Sequence, residues 1–184
     1  AWLEWATALQ AAQDRLFWDE ADAGWFSTTG NDPSVLLRLK EDYDGAEPAA
    51  GSISVLNLLT FESLVGGGTW IARAERTLAR FGPKIGGAAR AIPMMLAGLS
   101  SWHAEHAQVV IVGPPDSEDT VALQREIGRH YRPFAVVVPV TPAPTQDALA
   151  NVMPFVGAMR MRESCATAYV CRAFTCREPV TDVE

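Results

Sequence analysis

"VVIVGPPDSEDTVALQREIGRHYRPFAVVVPV", residues 109–140, decides how the second half of this chain is read. It begins and ends in short apolar runs, "VVIV" and "FAVVVPV", rich in β-branched side chains that favour extended backbone. Between them "DSEDTVALQREIGRHY" has helical spacing, with Ser117 placed to act as N-cap. Two uninterrupted apolar strands joined by a helix spell a βαβ unit, which predicts parallel strands buried on both faces. Downstream, "TPAPTQDA" (141–148) reads as a loop and "ATAYVCRAF" (166–174) as a third strand.

Upstream of Gln108 the texture is helical. Residues 2–20 carry Leu3, Leu9, Leu16 and Phe17 at helical spacing, with Trp2, Trp5 and Trp18 adding bulk, and the segment closes near Gly24. A long loop follows, with turn signals at Gly30–Pro33 and Asp44–Gly45, and it suggests a hairpin whose second arm is Val35–Leu39. Ser52–Val65 returns to helix until Gly66-Gly67-Gly68. Thr69 then caps a helix striped by Trp70, Ala74, Leu78 and Phe81. Residues 88–104 read as a fourth helix with Pro93 near its start. Two sequential helix pairs suggest αα-hairpins over 1–106 and a small α/β part over 107–184.

Bulk properties exclude several classes. Hydrophobic residues are 48% and charged residues 20% of 184, too apolar for a disordered chain. Fifteen basic against twenty-two acidic residues give −7, with no basic run, which argues against nucleic acid or an anionic membrane as partner. Uncharged runs are broken well before the ~20 residues of a membrane span. Three cysteines leave no complete disulfide framework, so a reduced, cytoplasmic setting is expected. The chain opens without Met or a signal-peptide pattern and reads as a helix entered partway along.

The chemistry-bearing residues fall into a few groups. Cys165, Cys171 and Cys176 are spaced unlike a zinc knuckle or a thioredoxin pair. They are open to three readings: small buried thiols, a disulfide or reactive pair between Cys171 and Cys176, or a metal site. His103 and His106 share a helical face, but Glu105 lies elsewhere on the wheel; these histidines, like His130, read as dipole-compensating helix ends, and no metal is expected. "VVIVGPPDSEDT" lacks the phosphate-loop glycines, and Asp116, Glu118 and Asp119 occupy the anion position, so no nucleotide cofactor is expected. "EDYDGAEPAAGS" (41–52) is the strongest polar cluster. Asp44 and Glu47 are the candidate acid and base, and Asp42, Tyr43, Trp25 and Phe26 the candidate contacts to a saccharide-like ligand, because proton transfer needs carboxyls and sugar faces stack on rings. The alternative is a solvated acidic loop in which Asp44 or Glu47 caps a turn.

"DYDGAEPAAGSISVLNLL" (42–59), "ATAYVCRAFTCREPVTD" (166–182) and "FWDEADAGWFSTTGNDPSVLLRLKEDYDGAEPA" (17–49) together resemble the C-terminal part of the spermatogenesis-associated protein 20 family. That resemblance implies an N-terminal thioredoxin-like domain outside this chain, followed by an (α/α)6 toroid similar to six-hairpin glycosidases and N-acylglucosamine 2-epimerases. The helices here would be the last arc of the toroid, ahead of an α/β unit with a mainly parallel sheet. Cys171 and Cys176 match family positions, whereas Cys165 does not, and Ala49 and Gly51 replace the Ser and Asn of the family's A-E-P-S-x-N-S pattern. The expected function is carbohydrate binding or processing, with Asp44 and Glu47 lining the toroid cavity. Alternatives are a thiol-redox accessory using Cys171 and Cys176, or a non-enzymatic protein-binding scaffold. Severed helices would leave apolar surface, so the isolated chain is expected to self-associate.

Overall fold

The computed structural model describes residues 2–104 and 106–183, so Glu105 lies outside the described residues. The chain folds as two compact units, Ala1–Glu62 with Gly66–His103, and Ser63–Val65 with Ala104–Glu184.

The first unit contains α1 (Trp2–Phe17), most of α2 (Ala50–Val65), α3 (Thr69–Ala88), a 3-10 turn at Ala89–Ala91, and α4 (Pro93–His103). Its core is built from Val55, Leu58 and Leu59 of α2, Ala74, Leu78 and Phe81 of α3, and Ile92 and Met95 at the head of α4, closed by Trp25. Burying one such leucine contributes about 2 kcal/mol. The predicted α3 stripe is therefore the buried one, with Trp70 packed at its edge. Gly98 is required where α4 meets α2, because a Cβ there would stand 2.9 Å from Val55 Cγ1.

Helix α1 follows its apolar pattern only in part. Of its expected stripe Phe17 packs against the core and Leu3 is half-buried, but the fully buried residue is Gln10, whereas Trp2 is 81%, Trp5 58%, Leu9 52% and Leu16 40% exposed. It ends at Phe17 rather than near residue 20. Ala23 and Gly24 take left-handed conformations (φ 52° and 79°), and this reversal brings Trp18 and Trp25 together as an isolated bridge. The expected hairpin over 35–39 does not form strands; Ser27 N–H bonds Leu39 C=O at 2.7 Å and the rest of the connection is irregular.

The second unit contains β1 (Ala107–Val112), α5 (Glu118–Gly128), β2 (Val136–Val140), α6 (Thr145–Ala150), a 3-10 turn at Pro154–Ala158, β3 (Thr167–Arg172) and β4 (Thr175–Cys176). The sheet order is β2-β1-β3-β4. Only β1 and β2 are parallel, with Val109 opposite Val137; β1–β3 and β3–β4 are antiparallel. Val109, Ile111, Ala166 and Ala168 pack under Leu123 of α5. Gly113 ends β1 where no side chain fits: a Cβ would lie 2.2 Å from Thr120 Oγ1 and 2.9 Å from Ala166 Cβ.

Two expectations about fold are overturned. Among the described residues there are six α-helices and a small mixed four-stranded sheet, a small α/β fold rather than an arc of an (α/α)6 toroid ahead of a mainly parallel sheet. The irregular connection 18–49 separates α1 from α2, where a chain of hairpins needs a short link. Apolar runs report burial but not direction. β2 is the sheet edge, with Val137 and Pro139 exposed, and β3 enters against β1 after α6 and its following turn.

Candidate functional site

The site in the helical unit begins with the inward face of α1. Gln10, Gln13 and Asp14 recur at i, i+3 and i+4, so one side of the helix presents two amides and a carboxylate. Asp14 Oδ1 accepts from Trp25 Nε1 at 2.8 Å and from Gln10 Nε2 at 2.9 Å, and Oδ2 accepts from the Arg73 guanidinium. Gln13 Nε2 donates to Ser54 Oγ at 2.8 Å, tying α1 to α2. Three donors on one carboxylate fix its position and, through it, the Trp25 ring.

The turn after α1 is held by ion pairs. Lys40 Nζ lies 2.9 Å from Asp19 and 3.1 Å from Asp22, and Arg80 Nε lies 2.6 Å from Asp22. The hydrogen bond from Lys40 holds the Asp19 carboxyl below its usual range; bonds from Arg80 and then Lys40 do the same for Asp22.

These anchors shape a cleft of about 170 Å³. Gln13 and Phe17 of α1 form one wall, Trp25, Phe26 and Ser27 a second, and Glu41 with Ala50 and Gly51 a third. The Phe26 ring is backed by the Arg38 guanidinium, 4.0 Å from its centroid. Glu41 Oε2 accepts from Ala50 N–H at 3.4 Å, so a carboxylate stands at the start of α2. The chemistry on offer is an aromatic surface beside a carboxylate and an amide, without a basic group among the lining residues.

The predicted residues divide between this cleft and elsewhere. Trp25 and Phe26 line it. Asp44 does not; it is only 9% exposed, and both its oxygens accept backbone N–H groups at 2.8 Å, Oδ1 from Ala49 and Oδ2 from Met94. It joins the starts of α2 and α4. Glu47 and Tyr43 are exposed, Tyr43 at 63%, and Asp42 pairs with Lys84 at 3.1 Å. Sequence reasoning missed Gln13, Asp14 and Glu41. The i, i+3, i+4 polar stripe of α1 was the available signal for the first two.

Cys171 and Cys176 form a disulfide, and Cys165 is free and exposed. The two half-cystines face each other across the β3–β4 pair, so the intervening bend places Cys176 beside Cys171. That hairpin turns through Ala173 and Phe174, both at positive φ (46° and 61°), a two-residue turn without the usual glycine. His103 packs edge-on to Trp102, and His106 lies 6.4 Å from the Phe134 ring. Among the described residues no group of three or more His, Cys, Asp and Glu is placed to hold a metal, and no helix is long and apolar enough to cross a membrane.

No family model matches the chain, and no solved structure matches it. Human spermatogenesis-associated protein 20 is 38% identical over 183 residues, covering 99% of this chain and 23% of the human protein. The mouse protein of that name is 37% identical over the same share. An uncharacterized protein of Caenorhabditis elegans is 28% identical over 183 residues, 24% of its length. The chain thus spans about a quarter of the length of the curated relatives it matches. Along nearly its whole length the chain is thus 37–38% identical to one segment of spermatogenesis-associated protein 20 from human, mouse and rat.

Proposed function

We propose that the cleft of the helical unit binds a saccharide-like, polyhydroxylated small molecule. The observation that carries this reading is the convergence of Phe17, Trp25 and Phe26 with Gln13, Ser27 and Glu41 around one small cavity. Rings cover the apolar face of a sugar, while an amide and a carboxylate bond its hydroxyls. Glu41, rather than Asp44, is the carboxylate in reach, because both Asp44 oxygens already serve backbone donors. The proposal is one of binding. The test is titration of the full-length protein and of this chain with a monosaccharide panel, following tryptophan fluorescence. A saturable change that is lost in Glu41→Gln and Phe26→Ala supports the reading. No saturable change with any sugar removes it.

A second reading rests on the Cys171–Cys176 bridge, whose Cys176 end is exposed. A thiolate of a partner dithiol, such as the thioredoxin-like domain implied by the resemblance, would attack Cys176 Sγ and release Cys171 as thiolate. The second partner thiol would then resolve the mixed disulfide, leaving both cysteines reduced and the partner oxidised. Trapping the oxidised chain with a single-cysteine thioredoxin variant tests it; absence of a mixed disulfide at Cys176 of the disulfide-bonded wild type refutes it.

Self-association of the isolated chain belongs to the same proposal. Its basis is the exposed Trp2, Trp5, Leu9 and Leu16 stripe of α1.

A further inference from the structure

A helix is about 10 Å wide and strands lie about 4.8 Å apart, so one helix covers roughly two strands. On the face of the sheet that α5 covers, Leu123 is buried against Val109, Ile111 and Ala168, while Ile127 and Val170 are only partly covered. Beyond α5 that face stays open as a groove of about 340 Å³. Its far bank is the C-terminal segment at Val180, which exchanges two backbone hydrogen bonds with Ala168, at 2.8 and 3.1 Å. The groove therefore has a fixed apolar floor and two fixed banks.

The rim is polar. On the α5 bank, Glu126 accepts from Arg129 at 2.9 Å and meets His130 Nε2 at 3.0 Å, so its charge is already compensated. Arg132, just past α5, and Asp182, on the opposite bank, also line the groove. Among the described residues neither the Arg132 guanidinium nor the Asp182 carboxylate has a side-chain hydrogen bond or an ion-pair partner. An apolar floor with an unpaired cation and an unpaired anion on its rim is complementary to a small zwitterion carrying an apolar tail. An apolar monoanion would set its charge near Asp182 with only one partner, and an apolar amine would leave Arg132 unanswered. A guanidinium fork matches a carboxylate, and a carboxylate accepts from an ammonium. The volume lies at the lower end of the range for small-molecule pockets, enough for a branched or aromatic side chain.

We propose that this groove binds a free amino acid with a bulky apolar side chain, its carboxylate on Arg132, its ammonium on Asp182, and its side chain on the Val109–Val170 floor. It would be a site separate in the sequence from the cleft of the helical unit, and neither proposal depends on the other.

The test is an amide NMR titration with L-leucine, N-acetyl-L-leucine, L-leucinamide and 4-methylpentanoate. L-Leucine should give saturable shifts confined to residues 123–132 and 168–183. Each of the three analogues, which lacks one charge of the zwitterion, should bind at least about tenfold more weakly, which is about 1.4 kcal/mol. Arg132→Gln and Asp182→Asn should weaken L-leucine by a similar factor, and both positions are exposed and unpaired, so their folds are retained. Three outcomes overturn the proposal: no saturable shift with L-leucine to about 10 mM, a weak-binding limit; an analogue binding as well as L-leucine; or variants that bind it unchanged.

Discussion

Replacing Asp44 should destabilise the helical unit rather than silence a reaction. Its two oxygens hold the N–H groups of Ala49 and Met94, each at 2.8 Å, at the heads of α2 and α4. A hydrogen bond to a charged group contributes about 1.5–3 kcal/mol, and leaving its buried donor unpaired forfeits that contribution. Asp44→Ala removes both bonds, so the expected loss is about 3–6 kcal/mol, a large fraction of the about 5–15 kcal/mol of a small domain. With a urea m-value of about 1–3 kcal/mol/M, the midpoint should fall by at least about 1 M. Asp44→Asn keeps one acceptor and turns an amide donor toward the second N–H, so its loss should be intermediate or close to that of Ala. Glu47→Gln, at an exposed neighbour, should stay within about 0.5 kcal/mol of wild type. The assay is urea unfolding followed by tryptophan fluorescence, to which the buried Trp25 contributes. An Asp44→Ala midpoint indistinguishable from wild type would refute the capping role. It would return Asp44 to the pool of candidate acids.

Other outcomes follow from the same geometry. Gly113→Ala should destabilise the α/β unit by about 1–3 kcal/mol, read by thermal unfolding, because Thr120 and Ala166 have to move aside. The lowered carboxyl pKa values of Asp19 and Asp22 stabilise the fold above their unfolded value of 3.8. That stabilisation is lost as pH falls through the lower folded values, so Lys40→Met should lower the urea midpoint at pH 7 and have a smaller effect at acid pH. Reducing the disulfide, which closes a short loop, should cost the α/β unit about 2 kcal/mol, measured by unfolding with and without reductant. Leu9→Lys, in the exposed stripe of α1, should remove concentration-dependent association in sedimentation, and association that persists unchanged would place the contact elsewhere.

Local periodicity was legible where burial is one-sided. The α3 stripe and the strand–helix–strand order after Ala107 follow from spacing. Ser117 stands at the N-cap of α5, but its hydroxyl bonds the Pro114 carbonyl and Thr120 Oγ1 rather than a backbone N–H. Helix α1 misled because a wide apolar face normally turns inward. Here the Asp14 network with Gln10, Trp25 and Arg73 takes that place. Those partners lie up to 59 residues away, beyond any window of sequence. Strand direction was hidden for a similar reason. β3 pairs with β1 through contacts that its composition does not encode. The candidate site was half legible: aromatic residues 25 and 26 stood out by type, whereas Glu41 differs from its acidic neighbours only by where the chain reversal places it.

The two margins of the sheet are each blunted against further growth. At one end Pro139 lacks the N–H that an added strand would need, and at the other a two-residue strand is locked by sulfur to its neighbour. Fibrillar stacking by strand addition is thereby disfavoured at both borders. A preparation that clumps should do so through indole and leucine side chains, and mild detergent should disperse it where reagents that compete for backbone hydrogen bonds add little.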